Sequence, residues 1–319
     1  MDAPASPDPA GAGTIAFLGP SGTFTEEALF TQPDYAGADV FPAATLPEAL
    51  EAVRTGRATL AFVPIENSIE GTVSATVDSL VFETDLLIQR EVVLDVHITL
   101  SAPAGTELTS VKRLLSFPHA TGQCRRYLAA HLPGVEVVPT NSTAEAARIV
   151  GQEARTDTAA LAPRLAARLY GLEVLVPVVE DHPDNQTRFV ALAPSGIPAP
   201  TGHDKTSIVC FQREDRPGSL HAILSEFAAR SINLTKLESR PTKQGLGNYC
   251  FLIDLEGHVA DEVVADCLRV LHAELADVKF LGSFPAAGAQ GAAVRARADA
   301  AWRDAERWVD ALRGQIRPA

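Results

Sequence analysis

The stretch "LLIQREVVLDVHITLSAP", residues 86–103, reads as extended chain throughout, with no glycine and no proline before Pro103. Strands in globular proteins usually run about five or six residues. A run of this length could carry the chain from one lobe to another. A second passage, "LYGLEVLVPVVED" (169–181), is placed to bring it back. Around these two passages, short apolar strands alternate with amphipathic helices. "TIAFLG" (14–19) precedes "TFTEEALF", "TLPEALEAVRTG" precedes "TLAFVPIE" (59–66), and "VKRLLSF" (111–117) leads into "HATGQCRRYLAAHL". "VEVVPTN" (135–141) leads into "STAEAARIVGQEA", and "TAALA" into "PRLAARLYG". That rhythm calls for an α/β architecture with largely parallel sheets. Residues 14–193 are enough for one domain or for two lobes.

A chain of 319 residues exceeds one typical core, so more than one domain is expected. Residues 194–204, "PSGIPAPTGHD", lack periodicity and form a Pro/Gly linker. Residues 205–285 read as a compact unit. "TSIVCFQ" reads as a strand, and "GSLHAILSEFAARS" places Leu220, Ile223, Leu224, Phe227 and Ala228 on one helical face. The strands "INLTKLESRP" and "GNYCFLIDLEG", the helix "DEVVADCLRVLHAEL" and the strand "DVKFLGSFP" complete βαββαβ, a ferredoxin-like plait. Residues 1–13 read as a disordered lead-in without the basic and apolar regions of a secretion signal. Residues 286–319 read as a helical tail in which Trp302 and Trp308 are candidate packing anchors.

Composition narrows the function. A net charge of −13 argues against nucleic acid or an anionic membrane as the main partner, while leaving room for a small anionic substrate in a locally cationic cleft. No apolar run is long enough to span a bilayer. The four cysteines, Cys124, Cys210, Cys250 and Cys267, are scattered without CxxC spacing. They argue against a zinc site and a disulfide framework and fit a reducing cytoplasm.

Polar clusters recur where strands meet helices. "GPSGTFTEEA" (19–28) presents Ser21, Gly22 and Thr23 at a helix start, either a tight connection or an anion-binding set of amides. "PIENSIEGTV" (64–73) sets Glu66, Asn67 and Ser68 at the carboxyl end of a strand, where open α/β sheets bind ligands. Asn67 or Ser68 equally suits the cap of a following helix. "SFPHATGQC" (116–124) offers His119 and Gln123 one helical turn apart, and "NSTAEAA" (141–147) has the capping box Ser142-x-x-Glu145 beside Thr143. "DNQTRF" (184–189) puts a hydroxyl, a guanidinium and a ring, Thr187, Arg188 and Phe189, where a strand resumes after a turn. Each alone is ambiguous, but an α/β architecture gathers such ends along one cleft. In the plait, Gly218 opens a helix, Asn233 starts a strand and Glu238, Ser239, Arg240 and Pro241 end it: either plain turns or a site for a small zwitterion.

In this order, these five motifs resemble those of prephenate dehydratases, and "GSL…INLTKLESRP" with the closing "LGSFP" is similar to the phenylalanine-binding ACT domain of that family. The resemblance covers roughly 14–193 and 205–285. It implies a catalytic region of two α/β lobes, similar to type II periplasmic binding proteins, followed by an α+β ACT plait. The implied reaction is decarboxylative dehydration of prephenate to phenylpyruvate in phenylalanine biosynthesis, with no metal or organic cofactor and with feedback by L-phenylalanine. The family's essential threonine falls on Thr187, with Glu66 and Asn67 as further catalytic candidates. Arg188, Phe189, Ser21, Gly22, Thr23, Ser68, His119, Gln123, Ser142 and Thr143 are substrate-binding candidates. The implied phenylalanine site is Gly218, Ser219, Leu220, Asn233, Leu234, Glu238, Ser239, Arg240 and Pro241, at a contact between subunits of a homodimer or homotetramer. Two positions depart from the family pattern, Ser219 where alanine is frequent and Ser231 where glycine is usual. Arogenate dehydratase and a non-catalytic amino-acid sensor are the alternative functions.

Overall fold

The computed structural model describes residues 13–35, 37–212, 216–243 and 248–287, together with 304, 307–309 and 311–315. The expectations for the lead-in, Gly13 apart, and for Trp302 fall outside these residues. The chain forms two compact units, Met1–Ser79 with Val92–Leu192, and Leu80–Glu91 with Ala193–Ala319.

The first unit opens with β1 (Ile15–Leu18), α1 (Phe24–Phe30), β2 (Val40–Ala43), α2 (Leu46–Arg54), β3 (Leu60–Asn67), β4 (Gly71–Thr72) and α3 (Ser74–Asp78). The extended run then supplies β5 (Leu87–Asp95), which crosses the boundary between the units in the sequence, and β6 (Thr99–Ala102). Next come β7 (Arg113–Ser116), α4 (Pro118–Gln123), α5 (Arg125–His131), β8 (Glu136–Pro139), α6 (Thr143–Glu153), β9 (Thr158–Ala162), α7 (Arg164–Leu169), β10 (Glu173–Val176) and β11 (Gln186–Ala193). One sheet has the order β2-β1-β3-β11-β5, with β4 attached to β3; the other is β10-β6-β9-β7-β8. The chain thus passes from the first sheet to the second between β5 and β6 and returns between β10 and β11, giving two lobes.

Within each lobe the βαβ strands are parallel: β1 with β2 and β3, and β7 with β8 and β9. The sheets are nevertheless mixed, because the strands next to the crossings run the other way. β11 is antiparallel to β3, and β6 to both β9 and β10. A strand arriving from the other lobe enters its sheet from the opposite end, so largely parallel order stops at these positions. The lobe cores are apolar and tightly closed. Ile15, Phe17, Phe62 and Phe189 are buried in one, Leu100, Leu114 and Leu161 in the other. Helix starts reflect local chemistry. Thr45 accepts from the Glu48 amide at 3.3 Å at the start of α2, and Ser142 from the Glu145 amide at 3.0 Å at the start of α6.

The second unit carries β12 (Asp204–Gln212), α8 (Ser219–Ala229), β13 (Leu234–Pro241), β14 (Tyr249–Glu256), α9 (Glu262–Val270) and β15 (Ala276–Pro285), in the antiparallel order β13-β14-β12-β15. Ile223 and Phe227 fill its core with Leu220 packed beside them, while Ala228 is exposed, so the apolar face of α8 is narrower than its spacing predicts. Trp308 is 65% exposed, and neighbouring Val309 and Leu312 are exposed too. The tail tryptophan is therefore not a packing anchor among the described residues. None of the described helices is long and apolar enough to cross a membrane.

Candidate active site

The antiparallel pairing of β3 with β11 sets Thr187 opposite Asn67 and Arg188 opposite Glu66. Cross-strand neighbours on one face lie within side-chain reach, and this register joins residues separated by 120 positions in the sequence. The Asn67 Nδ2 group donates to Thr187 Oγ1 at 2.8 Å and to Asn185 Oδ1 at 2.8 Å, with a longer contact to the Gln186 carbonyl at 3.1 Å. Its Oδ1 accepts from the amides of Ile69 and Glu70, both at 2.9 Å. Asn67 therefore does not cap a helix. It closes the turn between β3 and β4, because β3 runs on through Asn67 and the next helix begins only at Ser74. The two backbone bonds fix which end of the carboxamide is oxygen, and its N–H groups meet Thr187 and Asn185.

The network continues into the second lobe. Asn185 donates from Nδ2 to Gln123 Oε1 at 3.0 Å, and Gln123 donates from Nε2 to Glu70 Oε1 at 3.4 Å. The other Glu70 oxygen lies 3.1 Å from His119 Nδ1, and the His119 ring stacks on Phe117 with centroids 5.1 Å apart. Asn67, Thr187, Gln123 and His119 are thus brought together with Asn185 and Glu70, two residues that the motifs do not single out. Both lie inside the motifs themselves. Asn185 reads as a turn residue and Glu70 carries no reading of its own, and the signal that distinguishes them is tertiary. Ser68 ties the same turn down, its Oγ accepting from the Gln186 amide at 2.9 Å.

Arg188 lies 3.5 Å from Glu66 through Nη1 and Oε2, with its side chain only 11% exposed. Adjacent pairs along a ladder point to opposite faces of the pleat, so the Arg188–Glu66 pair lies on the far side from Thr187 and Asn67. Phe189 needs a correction. Its ring is 1% exposed and stacks on Phe62 at 5.6 Å, after a register shift between Arg188 and Phe189. It belongs to the core of the first lobe rather than to a wall around a substrate.

The other candidates bond outside this network. The Gly22 amide donates to the Glu26 carboxylate, the Ser21 carbonyl accepts from the Tyr170 hydroxyl at 2.8 Å, and Thr23 Oγ1 donates to the Leu18 carbonyl at 3.3 Å. Ser142 serves as the cap of α6, with Thr143 buried behind it. A separate cavity of about 550 Å³ between α1 and α7 is lined by Glu27, Phe30, Arg164 and Arg168 and contains none of the predicted site residues. Burial pushes the Glu27 carboxyl above its ordinary range, against the opposing pull of His97 and the two arginines. The four cysteines are free and buried, and burial holds the Cys210 and Cys267 thiols up to about 12, which removes them as nucleophiles at neutral pH.

In the plait, Gly218 takes φ 91° as the N-cap of α8, a left-handed conformation natural to glycine. Ser219 Oγ accepts from Gln212 Nε2 at 2.8 Å and donates to the Arg216 carbonyl at 2.8 Å. Leu220 and Leu234 pack against the core, Asn233 and Ser239 are exposed, and Arg240 pairs with Glu238 at 3.2 Å beside the exposed Pro241.

Two α/β lobes followed by a ferredoxin-like plait define the class: a two-lobed α/β protein with an appended α+β domain. The family model described as prephenate dehydratase matches residues 15–196, and that of the ACT domain residues 206–273. The prephenate dehydratase of Mycolicibacterium vanbaalenii is 47% identical over 88% of this chain and 93% of its own length. The crystal structure of Arthrobacter aurescens prephenate dehydratase in complex with L-Phe is 43% identical, with a TM-score of 0.85 over 94% of this chain and 99% of that one. A protein described as a novel type of quorum-quenching acylase shares the fold at 32% identity and a TM-score of 0.77, covering 86% of this chain and 98% of its own. The chain belongs to the prephenate dehydratase family.

Proposed function

We propose that this chain converts prephenate to phenylpyruvate, CO₂ and water, with Thr187 as the donor to the departing hydroxyl and L-phenylalanine as its regulator. The observation that carries the assignment is the 2.8 Å bond from Asn67 Nδ2 to Thr187 Oγ1. Because Thr187 accepts there, its own O–H is left to point outward, toward a ligand. In the reaction the ring carboxylate leaves as CO₂, its C–C electron pair enters the ring, and the C4–O bond breaks. Oxygen departs as hydroxide and takes a proton from solvent. A hydrogen bond aimed at that oxygen is worth most as charge develops on it. Thr187 acts as an oriented donor rather than a relay, since its described partner is an amide that does not surrender a proton.

Arg188 is assigned to holding Glu66, and the two together set the charge beneath the site. His119 and the start of α6, Ser142 and Thr143, are assigned to the substrate carboxylates. In the plait, Gly218 to Leu220, Asn233 with Leu234, and Glu238 to Pro241 are assigned to L-phenylalanine. The enzyme is proposed to act in the cytoplasm as a homodimer or homotetramer whose subunit contacts complete that site. Regulation requires L-phenylalanine to bind one conformation better than another.

The test is to supply purified protein with prephenate and monitor phenylpyruvate, with and without L-phenylalanine. Thr187→Val is expected to lower kcat by about 10²–10³-fold, the cost of removing one preorganised donor, with little change in KM. Near-normal turnover by that variant removes Thr187 from the chemistry.

A further inference from the structure

We infer that Asn185 is a positioning residue for this reaction: its buried carboxamide sets the plane of Asn67, and through it the direction in which Thr187 can donate. The inference rests on the dehydratase reading. Asn185 is 1% exposed, so neither end of its amide has water to fall back on. Its Oδ1 accepts from Asn67 at 2.8 Å, its Nδ2 donates to Gln123 at 3.0 Å, and its carbonyl accepts from the Val96 amide at 2.7 Å. Backbone and side chain are both fixed.

The geometry explains what this accomplishes. A carboxamide is planar, so holding one N–H of Asn67 on Asn185 determines where the other N–H points, which is Thr187 Oγ1. The Gln186 carbonyl, 3.1 Å from the same nitrogen, is the competing acceptor. Without Asn185 the amide of Asn67 swings toward that carbonyl, and its bond to Thr187 bends away. Asn185 also gives the network a direction. Asn67 donates to Asn185, Asn185 to Gln123, and Gln123 to the Glu70 carboxylate, so each amide is polarised the same way and the chain ends on an anion. Gln123 lies on α4 of the second lobe, whereas Asn67 and Glu70 border the turn of the first. The aim of Thr187 is therefore linked to the placement of α4.

The direction of the chain makes the role testable. An aspartate at 185 still accepts from Asn67 but cannot donate to Gln123. Gln123 must then turn its amide over and present its oxygen to Glu70, oxygen against carboxylate. A glutamine at 70 can donate to that oxygen and still accept from His119, so it restores a continuous chain running the other way. In the full-length protein, Asn185→Leu is expected to lower kcat on the order of ten- to a hundredfold while KM for prephenate stays within about twofold. Asn185→Asp is expected to lose much of its kcat, and the double variant Asn185→Asp/Glu70→Gln to recover a large part of it. Wild-type kcat in Asn185→Leu, or a double variant no faster than Asn185→Asp, overturns the inference. If Asn185→Leu does not fold, the comparison of Asn185→Asp with the double variant decides alone, since a merely structural role would not be rescued by a change at residue 70. Wild-type protein that fails to convert prephenate would instead overturn the dehydratase reading on which the inference rests.

Discussion

Ser231 adopts φ 55° in the turn between α8 and β13, a left-handed conformation in which its Cβ crowds the backbone. Such a conformation costs a non-glycine residue about 1–2 kcal/mol, part of which glycine gives back through its freer unfolded chain. The family's usual glycine at this position thus has a backbone reason, and this chain carries the strain instead. Ser231→Gly is expected to stabilise the protein by about 0.5–1 kcal/mol, read as a higher urea midpoint with an unchanged m-value. Single residues differ in how far they can be read without a structure. Thr187 and Asn67 are legible only as members of an ordered set of motifs, and the structure pairs them at 2.8 Å. Asn185 does not stand out, because Asp-Asn is ordinary turn chemistry. Only its burial and its three bonds distinguish it.

Among the elements, β3 and β11 form the frame of the site, and their pairing was not legible before the fold. Alternation shows that residues form a strand, but it carries no direction and names no partner. The parallel βαβ strands, the crossing passages and all six elements of the plait can be read from periodicity and punctuation. β2 cannot, since Pro42 interrupts a short strand with little apolar alternation, and β4 has only 2 residues. Phe189 shows the limit on the site itself. Next to Thr187 and Arg188 it invites a role at a substrate, yet its ring is buried and stacks on Phe62. Phe189→Leu is accordingly expected to cost about 1–3 kcal/mol of stability, less than truncation to alanine, while kcat and KM stay near wild type. A selective loss of kcat at unchanged stability would return Phe189 to the site.

At the scale of the molecule, sequence order and spatial grouping part company at residues 80–91. They lie within the stretch matched to prephenate dehydratase, yet they belong to the compact unit that contains the plait. Glu91, whose side chain is 1% exposed, pairs with Lys205 at 2.9 Å and accepts from the Ala287 amide at 2.9 Å. Lys279 Nζ donates to the carbonyls of Thr84 at 2.7 Å and Val81 at 3.3 Å, and Phe82 meets Phe211 edge-on. Gly282, at φ 144°, lets the backbone of Ile88 come so close that a Cβ there would lie 2.5 Å from the Ile88 carbonyl oxygen. A linker at 194–204 implies none of this, because it marks where the chain changes unit once but not that an earlier segment has already joined the second. A fragment of residues 193–319 is therefore expected to be incomplete. It leaves Lys205 without its carboxylate and the groove over Gly282 empty. That fragment should bind a hydrophobic dye and unfold at lower urea than one in which residues 78–92 are joined to it through a flexible linker. Equal stability of the two would mean that residues 80–91 only rest on the plait, and that the plait folds without them.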